Sequence, residues 1–106
     1  SPDNNIFYSS VSVWEVLLKT SSPGNNLHLT PADFIQYCND AGYYPLNMTT
    51  KHIVEDSKLS TDDAEANGHK DPFDRLLLAQ ARAENYSFLT HDSKMLLYHE
   101  KCVIKV

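Results

Sequence analysis

Three short stretches of this sequence carry an acidic residue at or near the start of a helical pattern. They are SSVSVWEVLLK with Glu15, HKDPFDRLLLAQA with Asp74, and FLTHD with Asp92. Carboxylates that lie close together repel one another unless they are protonated or bridged by a cation. Their oxygens suit hard cations such as Mg²⁺ and Mn²⁺ and do not suit zinc. If the fold brings these three residues together, we expect a Mg²⁺ or Mn²⁺ site.

Each acidic residue also has a structural explanation at a helix N-terminus. Asp71 suits the N-cap of a helix that begins at Pro72, and Asp74 would be its third residue, where a negative charge meets the helix dipole. Ser12 and Glu15 form the S-x-x-E pattern of a capping box. Taken alone, such residues are more often caps than catalysts, so only their convergence would favour chemistry.

The order of strands and helices decides where these acidic residues can meet. Alternating and β-branched patterns predict strands at 5–9, 43–49, 86–90 and 102–106. Apolar periodicity predicts helices after the first strand up to 21–24, from 31 to 41, and at 50–59, 72–84 and 93–99, with a polar loop at 60–70. This alternation implies a mostly parallel sheet in an α/β fold, with ligands at the edge where the strands end.

Cap and turn residues support several of these boundaries. Thr30 with Asp33 repeats the capping-box pattern at the start of the second helix, and Gly42 suits the position just after its end. Asp92 can cap the helix that follows strand 86–90. Pro45 suggests an edge position for strand 43–49.

The length and charge of the chain limit the classes of function. With 106 residues, we expect one small domain at most, able to bury one core. A net charge of −5 argues against general electrostatic attraction to nucleic acid, although carboxylates that hold cations could still act on it. The apolar run from Leu76 to Ala79 is too short to cross a bilayer. The glycines form no phosphate-binding loop, and no G-x-S-x-G motif is present.

The cysteines and histidines indicate no site of their own. Cys38 and Cys102 form no CxxC pair, which favours an intracellular protein with two incidental thiols over a disulfide. Cys38 lies on a predicted apolar stripe and is expected to be buried. The five histidines include no pair at metal-binding spacing, and we expect His91 and His99 at the surface.

The three acidic stretches occur in an order and at separations that resemble the VapC-like PIN-domain ribonucleases, the toxins of bacterial toxin–antitoxin pairs. The resemblance extends over essentially the whole chain and includes GYYPLNMTTKHI, which is similar to the strand and helix between the first two motifs. It implies an α/β/α sandwich that cleaves RNA with Mg²⁺ or Mn²⁺. It also implies a cytoplasmic protein with a cognate antitoxin as partner and no membrane association.

The resemblance assigns a role to individual residues. Glu15, Asp74 and Asp92 match the family's acidic positions and would act as catalytic metal ligands. Thr90 matches the hydroxyl residue of the T-x-D turn, where it would contact a metal-bound water or a phosphate. Asp71 matches a residue of the motif, yet we interpret it mainly as a helix cap.

The chain departs from the family pattern at its beginning. Family members start with a central strand that ends in an aspartate, and no such strand precedes residues 5–9 here. Asp3 lies before the strand and cannot replace that acid. We therefore interpret residues 1–106 as one PIN-like domain, the C-terminal part of a full PIN domain. Exposed strand edges tend to recruit other strands, so we expect self-association and weak RNA cleavage.

Two other functions fit parts of the pattern. One is a catalytically incomplete PIN remnant that retains only a protein-binding surface and sequesters an antitoxin. The other is a receiver-type signalling domain, which also uses clustered acids. That fold needs an acidic pair after its first strand and a late lysine after a strand, and the sequence has neither.

Overall fold

A computed structural model of the chain describes residues 5–24 and 28–106. The chain divides into two units, one ending at Met48 and the other beginning at Thr49. Each unit contains helices and one pair of parallel strands, so the predicted α/β class is confirmed. Asp3 lies outside the described residues. Within those two ranges, no helix combines the length and apolar character needed to span a bilayer.

The first unit contains two helices between two short strands. Its elements are β1 (Phe7–Ser9), α1 (Ser10–Ser21), α2 (Pro31–Asp40) and β2 (Tyr44–Leu46). The strands run parallel, with Phe7 opposite Tyr44 and Ser9 opposite Leu46. Both predicted strands are therefore present, each shorter than its sequence pattern indicated.

The predicted capping box of Ser12 and Glu15 is wrong, because α1 begins earlier than the pattern suggested. Ser9 is the N-cap, and its hydroxyl accepts the backbone N–H of Val11 at 3.1 Å. Ser12 and Glu15 are therefore the third and sixth residues of the helix, and Ser12 is not its N-cap. Glu15 instead pairs with Lys19 one turn later, at 3.4 Å.

The boundaries of α2 follow the sequence prediction. The Thr30 hydroxyl accepts the Asp33 N–H at 3.1 Å, and the Asp33 carboxylate accepts the Thr30 N–H at 3.4 Å. Gly42 follows the helix with φ of 80°, a left-handed conformation that glycine adopts without strain. Cys38 is buried on this helix as predicted, and burial raises the pKa of its thiol. It forms no disulfide, and neither does Cys102.

The second unit contains most of the helices. Its elements are α3 (Thr50–Asp56), α4 (Asp62–Ala66), α5 (Pro72–Glu84), β3 (Phe88–Thr90), a 3₁₀ helix (Ser93–Tyr98) and β4 (Val103–Lys105). β3 and β4 run parallel, with Phe88 opposite Val103. Its core contains Leu59, Ala64, Leu78, Ala79, Met95, Tyr98 and Val103.

The prediction of a loop over 60–70 is wrong in part, because α4 lies within it. Asp62, Asp63 and Glu65 place negative charge in the first turn of α4, where the helix dipole favours it. Ala64 is completely buried in the core of the second unit. The segment is polar because α4 exposes most of its surface and buries a single small side chain.

A buried histidine joins α3 to α5. The Thr49 N–H donates to His52 Nδ1 at 3.0 Å, so the ring hydrogen is on Nε2, which donates to Glu84 at 2.7 Å. This bond, together with Lys51 at 3.9 Å, holds the pKa of the Glu84 carboxyl below its usual range, although partial burial opposes the shift. Gln80 lies 3.3 Å from the same ring.

Candidate metal centre

The N-terminus of α5 confirms the predicted helix cap. Asp71 Oδ1 accepts the backbone N–H groups of Phe73 at 2.9 Å and of Asp74 at 3.4 Å, and Pro72 is the first helical residue. The Asp71 carboxylate is therefore engaged with the backbone. The Asp74 carboxylate lies instead beside His69.

The turn after β3 positions the second acidic residue. The Thr90 hydroxyl accepts the backbone N–H of Asp92 at 3.0 Å, and Asp92 Oδ1 accepts the N–H of Lys94 at 2.9 Å. Asp92 therefore caps the 3₁₀ helix, as predicted. Its other oxygen, Oδ2, lies on the side of His69.

Asp74, Asp92 and His69 converge in the second unit. The Oδ2 atoms of Asp74 and Asp92 lie 3.4 and 3.9 Å from His69 Nε2. One ligand atom from each residue lies within 4.8 Å of the others. The two acidic side chains are 33% and 46% exposed, so solvent reaches the carboxylates. The tertiary structure thus brings together two of the three predicted acidic residues.

His69 is the buried member of this cluster. Its side chain is only 5% exposed, and Nε2 has no hydrogen-bond partner among the described residues. Its backbone N–H donates to the carbonyl oxygen of Ala64 in α4, and Nδ1 lies 2.8 Å from the Tyr98 hydroxyl. A buried polar atom without a partner is unfavourable by about 1–3 kcal/mol. Such an atom beside two carboxylates fits the donor set of a cation site.

Tyr98 holds the His69 ring in position. The two rings meet edge to face, with centroids 5.4 Å apart, and Tyr98 is almost completely buried. Burial, opposed by nearby Arg75, raises the pKa of the Tyr98 hydroxyl, so it remains a neutral O–H group at physiological pH. It can therefore either donate to or accept from Nδ1, and His69 keeps Nε2 directed at the carboxylates.

Glu15 lies in the first unit, where its carboxylate pairs with Lys19. It occupies the middle of α1 and not the helix start that the capping pattern suggested. Its role as a third acidic ligand stays a prediction.

The other candidate features of the second unit are a cavity and two exposed histidines. A cavity of about 470 Å³ lies between the end of α5 and the turn before β4, and Arg82 and Glu100 are among its lining residues. It includes no member of the Asp74–Asp92–His69 cluster. His91 and His99 are exposed, as predicted. Elsewhere in residues 5–24 and 28–106, no three histidine, cysteine or acidic side chains converge in this way.

Sequence reasoning missed His69, although it lies in the quoted stretch HKDPFDRLLLAQA. A search for histidine pairs overlooks a site in which one histidine joins two carboxylates. The available signal was its place near the end of the polar segment 60–70, two residues before the Asp71 cap and five before Asp74.

No protein-family model matches this sequence, and comparisons with curated proteins and with solved structures give no significant match. The likeness to VapC-like PIN domains rests on the three acidic stretches and their order.

Proposed function

We propose that this chain is a metal-dependent ribonuclease of the VapC-like PIN type, the toxin component of a toxin–antitoxin pair. The observation that carries the proposal is the convergence of Asp74 and Asp92 beside an unpartnered buried nitrogen. These two acids are the positions at which the resemblance implies metal ligands. In this proposal the chain forms an α/β/α sandwich, acts in the cytoplasm and is held by a cognate antitoxin.

The residues around the cluster take separate parts in the proposed reaction. A bound Mg²⁺ or Mn²⁺ ion lowers the pKa of water and offsets the charge that develops on a phosphodiester. Asp74 and Asp92 would hold that ion through their exposed carboxylates. Thr90 fixes the backbone of Asp92, and Glu15 is assigned as a further acidic ligand. Asp71 keeps Asp74 at the first turn of α5.

Two lysines place positive charge near the cluster, although the chain as a whole is acidic. Lys70 directly follows His69 in the sequence, Lys94 lies two residues after Asp92, and both are exposed. The Lys94 ammonium lies over Gly68, 3.9 Å from where a Cβ atom would stand. Gly68 directly precedes His69, so this cation is near the candidate site. Such lysines attract RNA phosphates, which a net charge of −5 would otherwise repel.

An RNA-cleavage assay tests this proposal directly. The chain is freed of metal with EDTA and then assayed on single-stranded RNA with Mg²⁺ or Mn²⁺ added back. We expect cleavage that requires the metal and that is abolished in Asp74→Asn and in Asp92→Asn. Asp63→Asn is the matched control, because Asp63 is an exposed carboxylate paired with His99 outside the cluster. Metal-independent cleavage, or full activity of Asp74→Asn, would reject the assignment.

The alternative of a non-catalytic protein-binding module has one observation in its favour. Trp14, Leu17 and Leu18 lie three and four residues apart on α1 and are 42–49% exposed. Neighbouring apolar side chains on one helix form a surface of the kind that binds proteins, including a second copy of the chain or an antitoxin. A wild-type chain that cleaves no RNA with either metal would favour this alternative.

A further inference from the structure

The imidazole of His69 lies near both carboxylates of the cluster but beyond hydrogen-bonding contact with either. Two other histidines of this chain form ordinary pairs with carboxylates: His52 with Glu84 and His99 with Asp63, both at 2.7 Å. His69 Nε2 instead lies 3.4 and 3.9 Å from its two carboxylate neighbours and hydrogen-bonds to neither. A simple ion pair would bring the nitrogen into contact with one oxygen, as the other two histidines show.

These separations match atoms that share one ion. Metal–ligand bonds to nitrogen and oxygen are about 2.1 Å, so two ligands of the same ion lie at most about 4.2 Å apart. Both distances from Nε2 fall below this limit. The ring is also held as a ligand requires, because a histidine that binds metal usually bonds through its other nitrogen to a neighbouring group. Here that group is the Tyr98 hydroxyl, 2.8 Å from Nδ1.

We propose that His69 Nε2 is a metal ligand together with Asp74 and Asp92, and that this mixed site binds Mn²⁺ in preference to Mg²⁺. Mg²⁺ prefers oxygen ligands and keeps most of its water, whereas imidazole nitrogen suits first-row transition metals better. When the ion is bound, Nε2 offers its lone pair to it and the hydrogen lies on Nδ1, which donates to Tyr98. The inference rests on the proposed function, because it concerns the metal of the same site.

Metal binding without RNA tests this inference. Mn²⁺ is titrated into the EDTA-treated chain and followed by the electron paramagnetic resonance signal of free Mn²⁺, and Mg²⁺ is titrated by calorimetry. We expect the wild type to bind one Mn²⁺ more tightly than Mg²⁺. His69→Gln, which offers an oxygen in place of the nitrogen, should bind Mn²⁺ about tenfold more weakly or worse and lose the preference.

The matched control is His99→Asn. It removes a histidine that also pairs with an aspartate, but at an exposed position with φ of 58°, which asparagine tolerates. It should leave both affinities unchanged. Equal Mn²⁺ binding by the wild type and His69→Gln, or no binding of Mn²⁺ by the wild type, would overturn the inference.

A second measurement needs no variant and covers the case in which His69→Gln fails to fold. Wild-type chain with ¹⁵N-labelled histidine is titrated with Zn²⁺ as a diamagnetic probe and followed by NMR. The Nε2 signal of His69 should shift on binding while Nδ1 keeps its hydrogen. Unchanged His69 signals at saturating Zn²⁺ would refute the assignment.

These outcomes separate the inference from the proposed nuclease. A chain that binds Mn²⁺ through His69 but cleaves no RNA would refute the nuclease and retain the ligand. If the wild type cleaves RNA but His69→Gln binds Mn²⁺ as tightly as the wild type does, His69 is not a ligand and the nuclease proposal stands.

Discussion

Asp71 and Asp74 have different roles although they lie in the same helical turn. Asp71 accepts the backbone N–H of Asp74 at 3.4 Å, and Asp74 directs its own carboxylate to His69 at the same distance. Asp71 caps the start of the helix, whereas Asp74, in the first turn, faces His69.

This difference predicts separate consequences of substitution. Asp71→Ala removes the acceptor of the Phe73 and Asp74 N–H groups, so urea denaturation should show a loss of about 0.5–2 kcal/mol in the free energy of unfolding. Asp71→Asn is the control and should stay close to wild type, because asparagine caps equally well. A loss of metal binding in Asp71→Ala without any loss of stability would contradict the cap assignment.

Thr90 should affect the site through the backbone of Asp92. Thr90→Val keeps the shape of the side chain and suits a strand, but it removes the acceptor of the Asp92 N–H. We expect Mn²⁺ to bind about tenfold more weakly, since groups that position ligands usually have effects of this size. Thr90→Ser retains the hydroxyl and should behave as wild type. Similar calorimetric affinities for Thr90→Val and Thr90→Ser would show that this hydrogen bond is unimportant.

Tyr98 should stabilise both the fold and the position of His69. Tyr98→Phe leaves His69 Nδ1 without its partner in a buried environment, which costs about 1–3 kcal/mol of unfolding free energy. Tyr37→Phe is the control, because Tyr37 is 69% exposed. Denaturation curves and Mn²⁺ titration of both variants test this point. If Tyr98→Phe matches Tyr37→Phe in both measurements, Tyr98 does not orient the ring.

The Glu84 carboxyl should contribute to stability in a limited range of pH. Its pKa is lowered in the folded chain, chiefly by the hydrogen bond from His52, so the unfolded chain binds more protons in acid. The contribution is complete above the ordinary glutamate pKa of about 4.3 and is lost as pH falls through the lower folded value. Between pH 5 and 3, the unfolding free energy of wild type should therefore fall more steeply than that of Glu84→Gln. Parallel curves would contradict this assignment.

The sequence determined the elements whose signals are local. Asp71 and Pro72 predict the start of α5, and Thr30, Asp33 and Gly42 predict both ends of α2. Each boundary depends on hydrogen bonds or backbone angles within a few residues. The parallel pairing was also predictable, because strands separated by helices return in the same direction.

Local sequence patterns gave wrong predictions for the start of α1 and for the segment that contains α4. Ser12 and Glu15 have the spacing of a capping box, yet Ser9 caps α1 and Glu15 lies in the helix interior. Ala64 marks α4 only through its burial, and a single alanine in a polar segment carries no periodic signal.

The candidate metal centre depends on the tertiary structure. Asp74 and Asp92 were identifiable by residue type, but their common neighbour is His69, whose ring is held by Tyr98, 29 residues further along the chain. No local preference encodes such a contact, because it forms only when α4, α5 and the 3₁₀ helix pack around one core. The sequence determined which groups could bind a metal, and the packing decided that a buried nitrogen would face two of the carboxylates.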